Sequence, residues 1–323
     1  MRFIVLIALL VGIAFMPVRF AAAQSENYPN RTVRLIVPFP PGGSVDLIAR
    51  LVSPRLGESL GQQIVVDNRS GASGNIGTEL VARAAPDGYT LLLNTVPLVV
   101  NTHLYSHVPY DVLNDFAAIS LVSSSPSVLT VHPSLPVHSV RELLHLAKSR
   151  PGALNYASAG AGTNPHIAGE LFNYLGKVNI VVVHFKGGGP GLIATMSGEI
   201  LVTFSNIAET SVYVKAKRLR ALGVSSAKRV AAFPEIPTIA ETLPGYEFTT
   251  WHGMLAPKGT SSAIVALLNE RLKKVLNTPE QAQYFGQRGL DIVTSTPEEF
   301  STHLKKELEK WGKVVKERGM RLD

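Results

Sequence analysis

The stretch TVRLIVPFPPGGSVDLIAR (32–50) changes its periodicity in the middle. A β-branched apolar run, TVRLIVPF (32–39), passes through Pro40, Pro41, Gly42 and Gly43 into Ile48, Leu51, Val52, Leu56 and Leu60, which recur at helical spacing. QIVVDN (63–68) follows as a second strand, NIGTELVARAA (75–85) as a second helix closed by the turn PDG (86–88), and YTLLLNT (89–95) as a third strand. Strand, helix, strand, helix, strand predicts a parallel sheet with right-handed crossovers.

The same alternation returns further along. LNYASAG (154–160), VNIVVVHF (178–185), ILVTFS (200–205) and LRALGVSS (219–226) read as strands. They are separated by helix-like NPHIAGELFNYLG (164–176), LIATMSGE (192–199) and a helix over about 207–217. Between the two α/β units, DFAAISLVSSSPSVLTVHP (115–133) is an apolar stretch with a serine-rich centre, which reads as a strand crossing between lobes; YEFTTWHGMLAP (246–257) is a matching return. Two crossings make the first lobe discontinuous: residues 24–125 and 249–323 form lobe I and 126–248 lobe II. Helices are expected from SSAIVALLNERLKKVL (261–276), TPEQAQYFGQRG (278–289) and the last segment, where Thr296 is an N-cap with Glu299 three residues on.

The first residues stand apart. Met1 and Arg2 precede the apolar run 3–17, and Ala21-Ala22-Ala23 offers small residues for cleavage, so residues 1–23 read as a secretory signal peptide. The run is shorter than the ~20 residues a spanning helix needs. Removing Arg2 and Arg19 leaves 29 basic residues against 24 acidic, a net charge of +5. Apart from KAKRLR (215–220) these charges are interleaved with acids, as on a solvated helix face, which argues against nucleic acid as a partner. The absence of cysteine removes disulfides, thiolate catalysis and thiolate zinc sites.

What remains is a chemistry of loops. Phe39, Pro40, Gly42, Gly43 and Ser44 lie where a strand ends and a helix begins, the place where open α/β sheets hold ligands. Glycines there let several N–H groups converge on one acceptor, the helix start adds about half a positive charge, and Ser44 is a candidate cap. The product is a carboxylate socket without a charged side chain. Asp46 either orders that loop by accepting its N–H groups or complements the helix start as a first-turn acid. Ser158, Gly160, Gly162 and Thr163 make a second such loop before Asn164 and Pro165, read as N-cap and N1. HFKGGGPG (184–191) is a third, although glycine-rich turns are common wherever an α/β chain reverses. His166 and His184 flank these loops and either donate to a ligand or cap local backbone.

Named catalytic patterns fail. GAGTNP (160–165) has Pro165 where a dinucleotide fingerprint needs glycine, no lysine follows phosphate-loop spacing, and Ser158 lacks the glycine of a nucleophile elbow. His103 and His107 stand four apart but without the glutamate of a zincin, and read as surface residues.

Taken in order, VPFPPGGSVDLIAR (37–50), VVDNRSGASGNIGTELVARAAPDGYTLLLNT (65–95), LNYASAGAGTNPHIAGELF (154–172), VHFKGGGPGL (183–192), FPEIPTIAE (233–241) and WHGMLAPKGT (251–260) resemble the successive signatures of the Bug family of periplasmic solute-binding proteins, the binding component of tripartite tricarboxylate transporters. The resemblance runs from about residue 28 to the C-terminus. It implies a type II periplasmic-binding-protein fold: two α/β lobes joined by two crossing strands, closing on a small carboxylate-bearing solute without any cofactor or metal. The two family binding loops match Phe39–Ser44 and Ser158–Thr163. Asn94, Lys186 and Gly187 in the HFKG segment, and Ser205-Asn206 are further implied lining. Ser70 and Ser73 stand where proline and glycine are usual, and Lys217 where glycine is usual. The implied role is a monomeric, non-enzymatic, periplasmic protein that binds an organic acid for the transporter's membrane components. Sensing for a membrane histidine kinase and turnover in the same cleft are the alternatives.

Overall fold

The computed structural model describes residues 28–318, so the signal-peptide reading of residues 1–23 lies outside the described residues. The first α/β unit runs β1 (Val33–Val37), α1 (Ser44–Leu60), β2 (Ile64–Asn68), α2 (Asn75–Ala82), β3 (Thr90–Thr95) and α3 (Pro97–Leu104). The long strand β4 (Phe116–Val131) follows. The second unit comprises α4 (Val140–Ser149), β5 (Asn155–Ser158), α5 (Asn164–Gly176), β6 (Val181–His184), α6 (Gly188–Met196), β7 (Val202–Asn206), α7 (Ile207–Lys215) and β8 (Arg220–Val224). The chain returns through β9 (Thr249–Pro257) to α8 (Ser262–Leu276), α9 (Pro279–Gly286), β10 (Asp291–Ile292) and α10 (Pro297–Arg318).

The strands lie in the order β2-β1-β3-β9-β4-β7-β5-β6, with β8 and β10 also pairing β4. β1 pairs in parallel with β2 and β3, and β5 with β6 and β7, which is the crossover topology the alternation predicts. Strands β4 and β9 are antiparallel to their neighbours. β4 changes partner in mid-strand: Pro126 still faces Thr249 of β9, and Ser127 faces Asn206 of β7. The serine-rich centre of β4 is buried there, and its hydroxyls are used across strands. Ser123 meets Nδ1 of His252 at 3.1 Å, and Ser125 Oγ accepts from Asn206 Nδ2 at 2.7 Å.

One apolar core packs α1, α8 and α9 against one face of β1, β3 and β9, through Ile48, Val52, Leu56, Leu268 and Phe285. A second runs unbroken from Leu92 and Val99 through Leu129 and Phe204 to Phe172 and Trp311. Helix α10 is clamped to β9. The Cβ that Gly253 lacks would stand 2.1 Å from Phe300 Cζ, so only glycine admits this approach. Beside it the indole N–H groups of Trp251 and Trp311 both donate to Glu307 Oε2, each at 3.0 Å. The start of α10 is the expected capping box: Glu299 N–H donates to Thr296 Oγ1 at 3.1 Å and Thr296 N–H to Glu299 Oε2 at 2.8 Å.

Candidate functional site

Five helices begin at one cleft: α1 at Gly43-Ser44, α3 at Pro97, α5 at Thr163-Asn164, α6 at Gly187-Gly188 and α7 at Asn206, each following the carboxyl end of a strand. The cleft is narrow, with a cavity volume of about 50 Å3, below the usual range for a small-molecule site. Phe39, Pro40, Thr95, Ala159 and Glu209 complete the wall. A contiguous recess of about 260 Å3 adds Ser70, Ser73, Gly160 and Lys186. Because each helix start presents unpaired N–H groups and the positive end of its dipole, the wall is disposed to hold an anion.

The first loop is held open by Asp46. Gly42, at φ +86°, donates its N–H to Asp46 Oδ2 at 3.0 Å. The carboxylate also accepts from Arg50 Nε at 3.0 Å and from Asn68 Nδ2 at 3.0 Å, while Asn68 Nδ2 reaches Phe39 O at 3.0 Å. Burial alone would raise the Asp46 pKa, but these donors outweigh it and hold the carboxyl below its ordinary range. Of the two roles open to Asp46, ordering the loop is the one seen. Ser44 differs from the cap expected of it: Gly43 is the N-cap, at φ −84°, and Ser44 is the first helical residue.

The second loop repeats the device with other atoms. Gly160 and Gly162 have φ of +126° and +74°, and Gly162 N–H donates to His166 Nδ1 at 3.0 Å. Burial, helped by the neighbouring His184 ring at 5.0 Å, lowers the His166 pKa to about 4, so the ring is neutral and Nδ1 is free to accept. His184 in turn meets Ser158 Oγ at 2.7 Å. Both histidines therefore support local structure. Thr163, not Asn164, is the N-cap of α5; its hydroxyl donates to Gly160 O at 2.6 Å. Asn164 points across the cleft instead, Nδ2 reaching Thr95 Oγ1 at 3.4 Å, while its buried Oδ1 has no hydrogen-bond partner among the described residues.

The third loop is shorter than its glycines suggest. Helix α6 already begins at Gly188, so Gly188, Gly189, Pro190 and Gly191 are helical; a first-turn proline sacrifices only an N–H that would be unpaired anyway. Gly187, at φ +113°, carries the turn and packs on Pro40, whose Cγ would lie 3.1 Å from an added Cβ.

Of the residues singled out by sequence, Phe39, Pro40, Gly43, Ser44, Thr163, Gly187 and Asn206 line the main cleft, and Gly160 and Lys186 its recess. Gly42 is exposed beside the wall, and Asp46, Gly162 and His166 lie behind it as supports. So do Ser158, Ser205, whose hydroxyl meets Thr203 Oγ1 at 2.9 Å, and Asn94, whose Nδ2 donates to Thr78 Oγ1 at 2.9 Å. His103 lies away from the cleft with Nε2 at 3.0 Å from Leu308 O.

Sequence reasoning missed Thr95, Pro97, Gly188 and above all Glu209. The carboxylate of Glu209 is enclosed between two helix starts: the N–H and hydroxyl of Ser44 act on it as donors, and Oε2 would lie 2.9 Å from a Cβ on Gly188. Burial raises its pKa to about 7, with the two Ser44 donors acting in the opposite direction. A second contact across the cleft is Ser73, which has φ +54°; its hydroxyl donates to Ala161 O and meets Tyr105 Oη at 3.1 Å.

Residues 48–320 match the family described as tripartite tricarboxylate transporter family receptor. Protein BugT of Bordetella pertussis is 36% identical over 305 residues, covering 94% of each chain. The solved structure of R. palustris Rpa4515 with adipate superposes at a TM-score of 0.88 with 36% identity, covering 91% of this chain and 99% of that one. MatC from Rhodopseudomonas palustris with bound malate superposes at 0.84 with 29% identity, covering 89% of this chain and all of that one. By fold, cleft and sequence the chain belongs to the tripartite tricarboxylate transporter receptor family, the Bug-type periplasmic solute-binding proteins, which are binding proteins and not enzymes.

Proposed function

We propose that this protein captures a small carboxylate-bearing organic solute in the periplasm and delivers it to the membrane components of a tripartite tricarboxylate transporter. The observation that carries this reading is the convergence of five helix starts on one cleft without a basic side chain in its main wall. Adipate and malate in two related structures support the carboxylate class. Export by a signal at residues 1–23 and action as a monomer belong to the same proposal.

The lobes are proposed as 24–125 with 249–323, and 126–248; the partner exchange of β4 between Pro126 and Ser127 supports a boundary there. The two jaws are Phe39–Ser44 on one lobe and Ser158–Thr163 on the other, flanked by Lys186, Gly187, Ser205, Asn206 and Asn94. A solute carboxylate takes hydrogen bonds from both jaws only when the lobes are closed, so binding shifts the population toward closure. Charge-assisted hydrogen bonds of about 1.5–3 kcal/mol each and the roughly 8 kcal/mol of micromolar binding make a handful sufficient.

Mass spectrometry of the solute that copurifies, followed by calorimetry with that compound, tests the reading. Gly43→Leu is the matching variant: its φ is ordinary and an added Cβ meets only Pro40 O, at 3.8 Å, so the fold tolerates the side chain while the cleft loses volume. Binding abolished with the fold retained is expected. Unchanged affinity, or no organic acid bound by the wild type, overturns the reading.

A further inference from the structure

The polar side chains of the main cleft are unevenly spent. The hydroxyl donors are already used inside the protein: that of Ser44 on Glu209, Thr95 Oγ1 on Trp251 O and Thr163 Oγ1 on Gly160 O; Asn164 Nδ2 and Asn206 Nδ2 each spend one hydrogen, on Thr95 and Ser125. Two acceptors stay under-used. One is Asn164 Oδ1, buried and without a partner among the described residues. The other is Glu209, which takes the two Ser44 donors but meets no cation: among the described residues no lysine, arginine or histidine lines the main wall with it. A solute carboxylate can therefore be met by backbone N–H groups of the jaws, but the rest of the solute meets acceptors.

We propose that Glu209, with Asn164 Oδ1, forms an ammonium-recognising subsite, so that the solute is an amino-carboxylate and dicarboxylates are rejected. The inference rests on the solute-binding reading above and narrows its substrate class. A second carboxylate placed here would confront Glu209 in a low-dielectric space and find no cationic side chain in the main wall, an unfavourable exchange. A protonated amine supplies the missing cation to Glu209 and a third hydrogen to Asn164 Oδ1. The elevated pKa of Glu209 is consistent with a carboxylate that lacks its counter-charge until solute arrives.

Glu209 is placed for this by its own chain. Ser125 Oγ fixes Asn206, the Asn206 side chain accepts from Ala208 N–H at 3.0 Å to cap α7, and Glu209 follows in the first turn of that helix. The position is set by the mid-strand partner exchange of β4.

The test strips bound solute by unfolding and refolding, then compares chain-length-matched dicarboxylates, hydroxy acids and amino acids by calorimetry with wild type and Glu209→Gln. The wild type is expected to bind an amino acid at least about tenfold more tightly than the dicarboxylate or hydroxy acid of equal length. Glu209→Gln is expected to erase that preference. Because the readout is a ratio within one folded sample, loss of active protein does not imitate it. Equal or tighter binding of the dicarboxylate or hydroxy acid by the wild type, or an unchanged ratio in Glu209→Gln, overturns the inference and leaves solute binding intact. Failure of all three series to bind overturns both.

Discussion

The N–H of Gly162 donates to Nδ1 of His166, four residues on, at 3.0 Å. Gly42 and Asp46 make the same bond at the same distance in the opposite jaw, and Asp46 and His166 each occupy the third position of their helices. Two loops of different sequence thus share one construction: a left-handed glycine, two residues before a helix, anchored to a side chain in its first turn.

That anchor predicts a pH effect. His166 is neutral in the fold with a pKa of about 4, against 6.5 when unfolded, so the unfolded chain binds more protons between these values and stability falls as the pH drops from about 6.5 towards 4. Its share is on the order of 3 kcal/mol. His166→Asn, compared with wild type by urea unfolding at about pH 7 and 4.5, is expected to lose much of this dependence. An unchanged difference between the two pH values would contradict the assignment.

Glu209 carries the opposite sign. Its folded pKa of about 7 lies above the ordinary 4.5, so its stability contribution is greatest in acid and is lost as the pH rises through that window. Glu209→Gln is expected to raise the melting temperature of the solute-free protein at about pH 8, by up to 2–3 kcal/mol in free energy, and to change little at about pH 5. Calorimetric melts at both pH values decide it.

Ser73 holds a backbone conformation that costs a non-glycine residue on the order of 1 kcal/mol, and it bonds Ala161 on the facing jaw. Ser73→Gly relieves the strain and deletes the bond. Solute affinity is expected to fall about three- to tenfold, with a melting temperature of the solute-free protein that is unchanged or higher. Calorimetry beside a thermal melt checks both, and unchanged affinity would remove Ser73 from the closing contacts.

Gly253 tests the seat of α10. Gly253→Ala drives a methyl into the Phe300 ring and is expected to cost roughly 1–3 kcal/mol or more, read by denaturant unfolding. Phe300→Leu in the same chain should recover part of the loss by freeing space.

Elements with local causes were legible in sequence. The parallel strands follow from β-branched runs, and the Thr296–Glu299 capping box lies within one turn. Helix starts were read one residue late at Ser44 and Asn164, because a serine or asparagine resembles a cap whether or not its side chain turns back. The helical GGPG segment (188–191) was hidden because glycine and proline mark a turn except in a first helical turn. Glu209 was invisible for a different reason. Its neighbours Ser44 and Gly188 are brought to it by strand pairing across the whole sheet, and no local pattern in SNIAET records that.

The clamp at Glu307 makes the protein its own optical gauge. The chain has two tryptophans, and both indoles end on one carboxylate oxygen where α10 meets the crossing strand β9, outside the wall of the cleft. A change in tryptophan emission on adding solute reports strain at this crossing, which the cleft wall reaches through the bond of Thr95 Oγ1 to Trp251 O, and a fluorescence titration reads it without a label.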